Sequence, residues 1–400
     1  MIEVCLDQGE GTMPGTILIV DDSMVNRKLL SKTLAGLGHE IIEARDGKEA
    51  LERSFELLPD LILLDIIMPE IEGFEVCSAL KADERTADIP IIFLSARSEV
   101  KDKIKGLEIG AVDYITKPFD RGEVLARVQN QLKIRALTKD LMEKQARLDE
   151  DLKAAAGIQG SLLPRKLPDV ENLEMVWKFT PCEMIGGDIF NVLRLDESHL
   201  GFYILDVSGH GVPSAMVTVS VSQMFQTHSG SLVKRQKGNP PFYEIVQPRH
   251  VLQQLDREYP LDRFDKYFTI VYAVLNVHTG HLSYSNAAHP CPVLLHADGT
   301  LELLDKGGTI IGLDGAVPFE EGELDLHRGD KLFLYTDGLT EYQNDEGGFF
   351  GQDRFHDLLA SLRDRSLSVI LDRVYEAMTQ FGNRVKLQDD VSILGIEFKG

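Results

Sequence analysis

The sequence runs to 400 residues and is short of several things. Cysteine is scarce: Cys5, Cys77, Cys182 and Cys291 are the whole set, and no two stand in a C-x-x-C pair. That spacing excludes a disulfide framework and a zinc–thiolate site, and it suits a reducing cytoplasm. Positive charge is also scarce. The 42 Lys and Arg face 64 Asp and Glu, for a formal net charge of −22. Such a surface repels nucleic-acid phosphates and anionic membranes, so neither is expected as a partner. No apolar run reaches the roughly 18 to 20 residues of a membrane span. The first fifteen residues are polar and acidic rather than a secretory leader. They are expected as a flexible extension, 1–15, with Met13 as a candidate start.

What is present is ordinary globular material, 43% hydrophobic and 26% charged. At roughly 150 residues per domain the length predicts two to three domains. From Thr16 to about Gln131, short apolar strands alternate with amphipathic helices. The strands read Ile17–Val20, Glu40–Glu43, Leu61–Leu64, Ile91–Leu94 and Val112–Ile115, with helices such as Val25–Leu37 and Lys48–Leu57 between them. Five βα units with apolar strands predict a doubly wound, five-stranded parallel α/β sheet, whose site lies at the carboxyl ends of the strands.

From Glu123 to about Leu163 the chain has no glycine before Gly157 and no proline before Pro164. Leu141, Leu148, Ala155 and Leu162 recur every seven residues, beside a mixed series of Thr138, Gln145, Leu152 and Gln159. A long helix is expected, either pairing as a short coiled coil or standing as a single solvated helix. Beyond Pro164 the pattern turns strand-rich, at Met175–Phe179, Gly201–Leu205, Phe268–Leu275, His281–Ser285, Lys331–Tyr335 and Val391–Phe398. Helices are expected at Pro213–Gln226, His250–Glu258, Arg354–Arg363 and Leu367–Gln380, which makes an α+β domain. The polar stretch Thr227–Gln247 reads as a mobile surface loop.

The first domain carries acidic groups at strand ends. Asp21 and Asp22 follow the first strand, Asp65 ends the third in LILLDIIMP, and Lys117 follows the fifth in DYITKPF. Clustered carboxylates repel unless a cation neutralises them, and oxygen ligands of this kind suit Mg²⁺. Asp65 is then placed as a carboxylate nucleophile on a phosphoryl group, with Mg²⁺ and Lys117 balancing the developing charge. Residues 16 to about 131 resemble the receiver domain of two-component response regulators. The resemblance implies Asp65 as phosphoacceptor, Asp21 and Asp22 as Mg²⁺ ligands with Asp65, and Lys117 as the phosphoryl contact. It implies Ser95 as the switch hydroxyl, Tyr114 as the switch aromatic, and a cis bond at Lys117–Pro118.

The second half carries its own aspartates. Asp188 lies in MIGGDIF, Asp206 in FYILDVSGHG, Asp337 in LFLYTDGLTE, and Asp389 and Asp390 in LQDDVSIL. An apolar strand ending in Asp and then a turn plants a carboxylate on a rigid support. Four converging carboxylates call for two hard cations, which is the two-metal arrangement for hydrolysing a phosphate ester. From about Ala155 onward these motifs, with IQGSLLP and YSNAAHPCPVLL, resemble type 2C-class, PPM-type metal-dependent Ser/Thr phosphatases. They are closer to the bacterial branch of sporulation and stress-response phosphatases. The resemblance implies an αββα sandwich, Asp188, Asp206, Asp337 and Asp389 as metal ligands, the Val207 carbonyl as a further ligand, and two Mn²⁺ or Mg²⁺ ions. The family's GGD motif continues with two aromatics and a second Asp, where Ile189, Phe190 and Asn191 stand here; the AGH segment reads Ala287-Ala288-His289. His289 and His210 are either acid–base groups or hydrogen-bonded structural histidines.

Together these features predict a receiver over 16–131, a helical linker over 132–163 that joins a homodimer, and a phosphatase over 164–400. The expected function is a cytoplasmic response regulator. A sensor histidine kinase phosphorylates it, and its Ser/Thr phosphatase acts on an anti-anti-sigma-type phosphoprotein. A catalytically weak adaptor is the alternative, although the ligand positions are retained. A diguanylate cyclase fails because Ile189 stands where GGDEF needs an acid. A DNA-binding output fails on charge.

Overall fold

In a computed structural model, the structure describes residues 15–96, 100–164, 166–226, 232–239, 242–383 and 385–400. The expected extension, Met13 included, lies outside the described residues but for Gly15. Two compact units divide after Leu148, within one helix. Among the described residues, no helix is long and apolar enough to cross a membrane.

Unit 1 opens with β1 (Thr16–Val20), α1 (Met24–Leu34), β2 (Glu40–Ala44), α2 (Gly47–Leu57) and β3 (Leu61–Asp65). It continues with α3 (Gly73–Ala82), β4 (Ile91–Ala96), α4 (Val100–Glu108) and β5 (Asp113–Lys117). The strands form one parallel sheet in the order β2-β1-β3-β4-β5. Strand side chains alternate between faces. Leu18, Val20, Ile62, Leu64, Ile91 and Phe93 therefore enter one core, and Ile17, Ile19, Leu61, Leu63, Ile92 and Leu94 the other. Each such buried aliphatic contributes about 1.5–3 kcal/mol, which explains why these strands carry no polar face. Asp46 caps α2 by accepting from the Glu49 amide at 2.8 Å. The helix α5 (Arg121–Gly160) runs unbroken for 40 residues. Its start buries Val124, Val128 and Leu132, while Leu141 and Leu148 stay exposed.

Unit 2 is a sandwich of two sheets. The first, β15-β12-β11-β8-β7 with β16 on β12, is built from β7 (Ile189–Arg194), β8 (His199–Val207), β11 (Phe268–Asn276), β12 (His281–Ala287), β15 (Gly307–Gly308) and β16 (Gly322–Asp325). The second, β14-β13-β17-β18-β6, is built from β6 (Leu173–Thr180), β13 (Val293–Leu295), β14 (Leu301–Leu303), β17 (Lys331–Tyr335) and β18 (Val391–Phe398). Phe190, Phe202, Ile204 and Val271 of the first sheet pack on Leu294, Leu332, Leu334 and Leu394 of the second. The outer face of the first sheet is covered by α6 (Val212–Met224) and α7 (Pro248–Glu258), whose Val217, Val221, Val251 and Leu255 meet Leu205 and Ile270. The outer face of the second is covered by α10 (Gln352–Ser361) and α11 (Leu367–Phe381), through Phe355, Leu359, Ile370 and Val374 on Phe333 and Ile393. Two single-turn helices, α8 (Leu261–Phe264) and α9 (Asp337–Thr340), follow α7 and β17.

One expectation is corrected. The stretch Thr227–Gln247 is not a loop throughout. Among its described residues β9 (Lys234–Gln236) pairs antiparallel with β10 (Tyr243–Ile245), and Leu232, Val233 and Val246 enter the core. Apolar pairs, Leu232-Val233 and Ile245-Val246, set among polar residues anchor this hairpin, and no strand-length run announces them.

Candidate receiver and phosphatase sites

In unit 1 the carboxyl ends of β1, β3 and β5 bring Asp21, Asp22, Asp65 and Lys117 together. Carboxylate oxygens of the three aspartates lie within 4.8 Å of one another. The Lys117 Nζ reaches Asp65 Oδ2 at 2.7 Å and Asp21 Oδ2 at 2.9 Å. Burial raises the Asp65 pKa, and Asp21 and Asp22 add to it against the pull of Lys117. Burial alone would lower Lys117, but its bonds to Asp21 and Asp65 win and raise it. The lysine therefore stays charged and offsets only part of the negative charge. An all-oxygen, net-negative trio is a fitting donor set for Mg²⁺.

Residues not singled out from sequence hold this cluster in place. Asn26 Nδ2 donates to both oxygens of Asp21 at 3.1 Å, and Arg27 donates to the Asp21 carbonyl at 2.7 Å. A β-carbon at Gly73 would sit 2.1 Å from the Asp65 carbonyl, so only glycine lets α3 start there. Ser95 is buried on β4 opposite Thr116, and with Tyr114 it lines a small hollow beside Ile66 and Phe93. The Lys117–Pro118 peptide is cis.

In unit 2 the strand register gathers the second set. Ile189 pairs with Leu205, which puts Asp188 across from Asp206. Tyr335 pairs with Ile393, which brings Asp337 to the Asp389–Asp390 end of β18. Burial raises Asp188 well above the ordinary carboxylate range, helped by Asp206 and Asp390 and opposed by the hydroxyls of Thr336 and Ser392. Burial, then Asp337, Asp389 and Asp390, pushes Asp206 up to about 7. Asp337 and Asp389 are also raised, again by burial first. The four are thus electrostatically one group, with hydroxyl and backbone donors and His210 opposing the rise. Among the described residues, only the receiver trio packs three ligand oxygens within 4.8 Å. No three of the described phosphatase carboxylates close to that spacing.

Three comparisons with known proteins bear on these sites. The stage II sporulation protein E (SpoIIE) family model matches residues 196–399, and the response regulator receiver domain model matches residues 17–129. The chain belongs to the SpoIIE family. It carries a receiver domain followed by a PPM-type phosphatase domain. The SiaA-PP2C domain of Pseudomonas aeruginosa superposes with a TM-score of 0.52 at 22% identity, covering 64% of this chain and 98% of that one, which supports the fold. Among curated relatives, the DNA-binding dual master transcriptional regulator RpaA of Synechocystis sp. is 46% identical over 117 residues, 29% of this chain and 48% of RpaA. The phosphate regulon regulatory protein PhoB of Pseudomonas aeruginosa is 47% identical over 118 residues, 30% of this chain and 52% of PhoB. The chain spans about half the length of these curated relatives.

The SpoIIE-family match begins after Asp188, so the GGD turn is read from geometry. A β-carbon at Gly186 would lie 1.9 Å from Asp390 Oδ2, and one at Gly187 would lie 2.8 Å from the Val207 carbonyl and 3.5 Å from Asp206 Oδ1. The two glycines let the turn close onto the carboxylates. Asp390 serves as a brace, accepting from the Cys182 amide at 2.9 Å and the Asp188 amide at 3.3 Å. Sequence reasoning did not assign four further supports. Ser392 Oγ donates to Asp188 Oδ2 at 2.7 Å, and Thr336 Oγ1 accepts from the Ser392 amide at 3.0 Å. Thr218 Oγ1 donates to the Gly187 carbonyl at 2.6 Å. Gln159, near the end of α5, donates to the Gly186 carbonyl at 2.6 Å and accepts from its amide at 3.2 Å. The available signal was a lone hydroxyl in an apolar strand, as in VSILGIEF.

The histidines separate. His289 is buried, bonds Thr269 through Nδ1 at 2.8 Å, and is pushed down to about 3 by burial. It is a neutral structural group, clamped by Asn286 through both backbone atoms. His210 is exposed, with Nδ1 3.3 Å from Glu183.

Proposed function

We propose that this chain is a response regulator whose receiver, phosphorylated on Asp65 by a sensor histidine kinase, controls a metal-dependent protein Ser/Thr phosphatase. The observation that carries the enzymatic reading is the set of aspartates at facing strand ends, Asp188 buried, Asp206 and Asp337 half-buried and Asp389 exposed, whose pKa values are raised first by desolvation and then by neighbouring carboxylates. Desolvated carboxylates that raise one another's pKa are stable near neutral pH only when protonated or neutralised by cations. Asp188, Asp206, Asp337 and Asp389, with the Val207 carbonyl, would hold two Mn²⁺ or Mg²⁺ ions. When bound, such a pair supplies Lewis-acid polarisation of a phosphate ester and a lowered pKa for water. The chain's own part is to set the donors rigidly. Ser392 orients Asp188, Asp390 ties the GGD turn to β18, and Thr218 and Gln159 hold the two glycine peptides.

In the receiver, an Asp65 carboxylate oxygen attacks the phosphorus of the kinase's phosphohistidine; the O–P bond forms as the N–P bond breaks and the imidazole leaves, and Lys117 balances charge on the phosphoryl oxygens. Ser95 and Tyr114 are the elements that respond. The resemblance to sporulation and stress-response phosphatases favours an anti-anti-sigma-type phosphoprotein as substrate. The exposed Leu141 and Leu148 on α5 favour a homodimer through that helix. The test is hydrolysis of an aryl phosphate and a phosphoserine protein by the purified chain, with and without Mn²⁺ or Mg²⁺. Turnover that needs the cation and is lost in Asp206→Ala is expected. No cation-dependent turnover would leave an adaptor.

A further inference from the structure

We propose that Lys266 is a positioning residue of the phosphatase site, holding the turn that aims the Val207 carbonyl and so setting divalent-cation affinity. The inference rests on the phosphatase reading above.

The turn after β8 is intrinsically loose. Gly209 and Gly211 both have positive φ, 75° and 81°, and glycine there brings no stiffness of its own. Yet this turn carries the Val207 carbonyl, which faces Gly187 on the same side as Asp206 Oδ1. Its rigidity comes from outside. The Ser208 amide donates to the Tyr267 carbonyl at 2.9 Å, and the Tyr267 amide donates to Ser208 Oγ at 3.3 Å. These fix the peptide that contains the Val207 carbonyl. The next peptide is fixed through the Ser208 carbonyl, which accepts from Ser214 Oγ at 3.1 Å and from Lys266 Nζ at 2.8 Å. Of these bonds only that of Lys266 is charge-assisted, and such bonds are about twice as strong as neutral ones. The ammonium fills the space a side chain at Gly209 would take, 3.1 Å from that β-carbon position. Lys266 is half-buried and follows Asp265, whose φ of 51° turns the chain towards β8. No sequence motif points to this lysine, because it lies 58 residues from the carbonyl it holds.

Two physical effects of Lys266 on cation binding have opposite signs. As a nearby positive charge it repels cations, and its loss would tighten binding. As a support it holds the Ser208 carbonyl, one peptide beyond the ligand carbonyl of Val207, and its loss would loosen binding. Removing a partner that orients a metal ligand typically costs 10–100-fold in affinity. That exceeds what a solvent-screened charge several ångströms further away supplies.

The test is Mn²⁺ binding by the full chain, read from the electron paramagnetic resonance signal of free Mn²⁺. It is run in an Asp22→Asn background so that the receiver cluster does not contribute. Lys266→Met is expected to weaken Mn²⁺ binding about 10-fold or more, with Lys266→Arg restoring it to within about 3-fold because the charged donor is kept. Saturating Mn²⁺ should return the aryl-phosphate KM of Lys266→Met to the parent value. Lys266→Gln, which keeps a neutral donor, serves if the Met variant unfolds, and should fall between the two. Unchanged or tighter Mn²⁺ binding in Lys266→Met or Lys266→Gln overturns the role of Lys266 alone. A parent chain that neither binds Mn²⁺ in unit 2 nor turns over substrate overturns the phosphatase reading, and this inference with it.

Discussion

Replacing Asp206 by Asn should stabilise the metal-free chain at pH 8, and by less than half as much at pH 5. In the absence of cations, burial and then Asp337, Asp389 and Asp390 push Asp206 up to about 7 from an ordinary 3.8. The folded pKa exceeds the unfolded one, so between those values the folded state holds the proton and the unfolded state has lost it. The stabilisation is present below about pH 4 and is lost as pH rises through about 7. At ~1.4 kcal/mol per pH unit, the span from 3.8 to about 7 sets a ceiling of about 4 kcal/mol. Asp188, raised in the same direction, adds to the slope. For a unit of this size 1 kcal/mol moves the melting temperature by about 2–4 °C, so the ceiling is roughly 8–16 °C. The assay is thermal unfolding in chelator at pH 5, 6, 7 and 8 for the parent and Asp206→Asn. The difference between the two curves removes every titrating group that does not interact with Asp206. The parent should lose stability relative to the variant as pH rises, and Mn²⁺ should restore the parent only. A difference that is flat from pH 5 to 8, or that grows in the parent's favour, refutes the argument that this carboxylate is buried among like charges.

Three further outcomes follow from named contacts. Ser392→Ala removes the 2.7 Å bond to Asp188 and should lower aryl-phosphate turnover about 10–100-fold, measured at fixed Mn²⁺; turnover within 2-fold of the parent would show that this hydroxyl does not orient the ligand. Asp65→Asn should abolish incorporation of phosphate from a small phosphodonor, seen as loss of the shifted band on a phosphate-affinity gel, whereas Asp113→Asn should not. Leu141→Glu with Leu148→Glu, both at exposed positions of α5, should shift the chain from dimer to monomer in sedimentation velocity; a parent that already sediments as a monomer, with and without a phosphoryl mimic, removes the dimer.

The legible part of both sites was the part written as strand plus terminus. LILLD ends a fully buried strand, and LFLYTD and FYILD do the same in the second unit, so both the strand and its terminal carboxylate are local features. The aspartates named for the receiver converge within 4.8 Å, and those of the phosphatase domain share one electrostatic environment. The supports were illegible. Ser392 and Asp188 are 204 residues apart, and Gln159 and Gly186 are 27 apart. A hydroxyl or amide of this kind looks the same in sequence whether it faces solvent or a ligand. The β9–β10 hairpin was hidden for a related reason: its anchors, Leu232, Val233 and Val246, are too sparse to make a periodic pattern.

The amino-acid order by itself determined the two architectures, the α5 helix and the identity of the acidic groups. Apolar periodicity and strand-end carboxylates are properties of neighbours along the chain. Only the tertiary structure decided which donors brace Asp188 and the turn after Asp206, that His289 is a neutral buried strut, and that burial and neighbouring carboxylates raise Asp206 above the ordinary carboxylate range. Desolvation and hydrogen bonding act between groups that are close in space, and packing alone sets those distances.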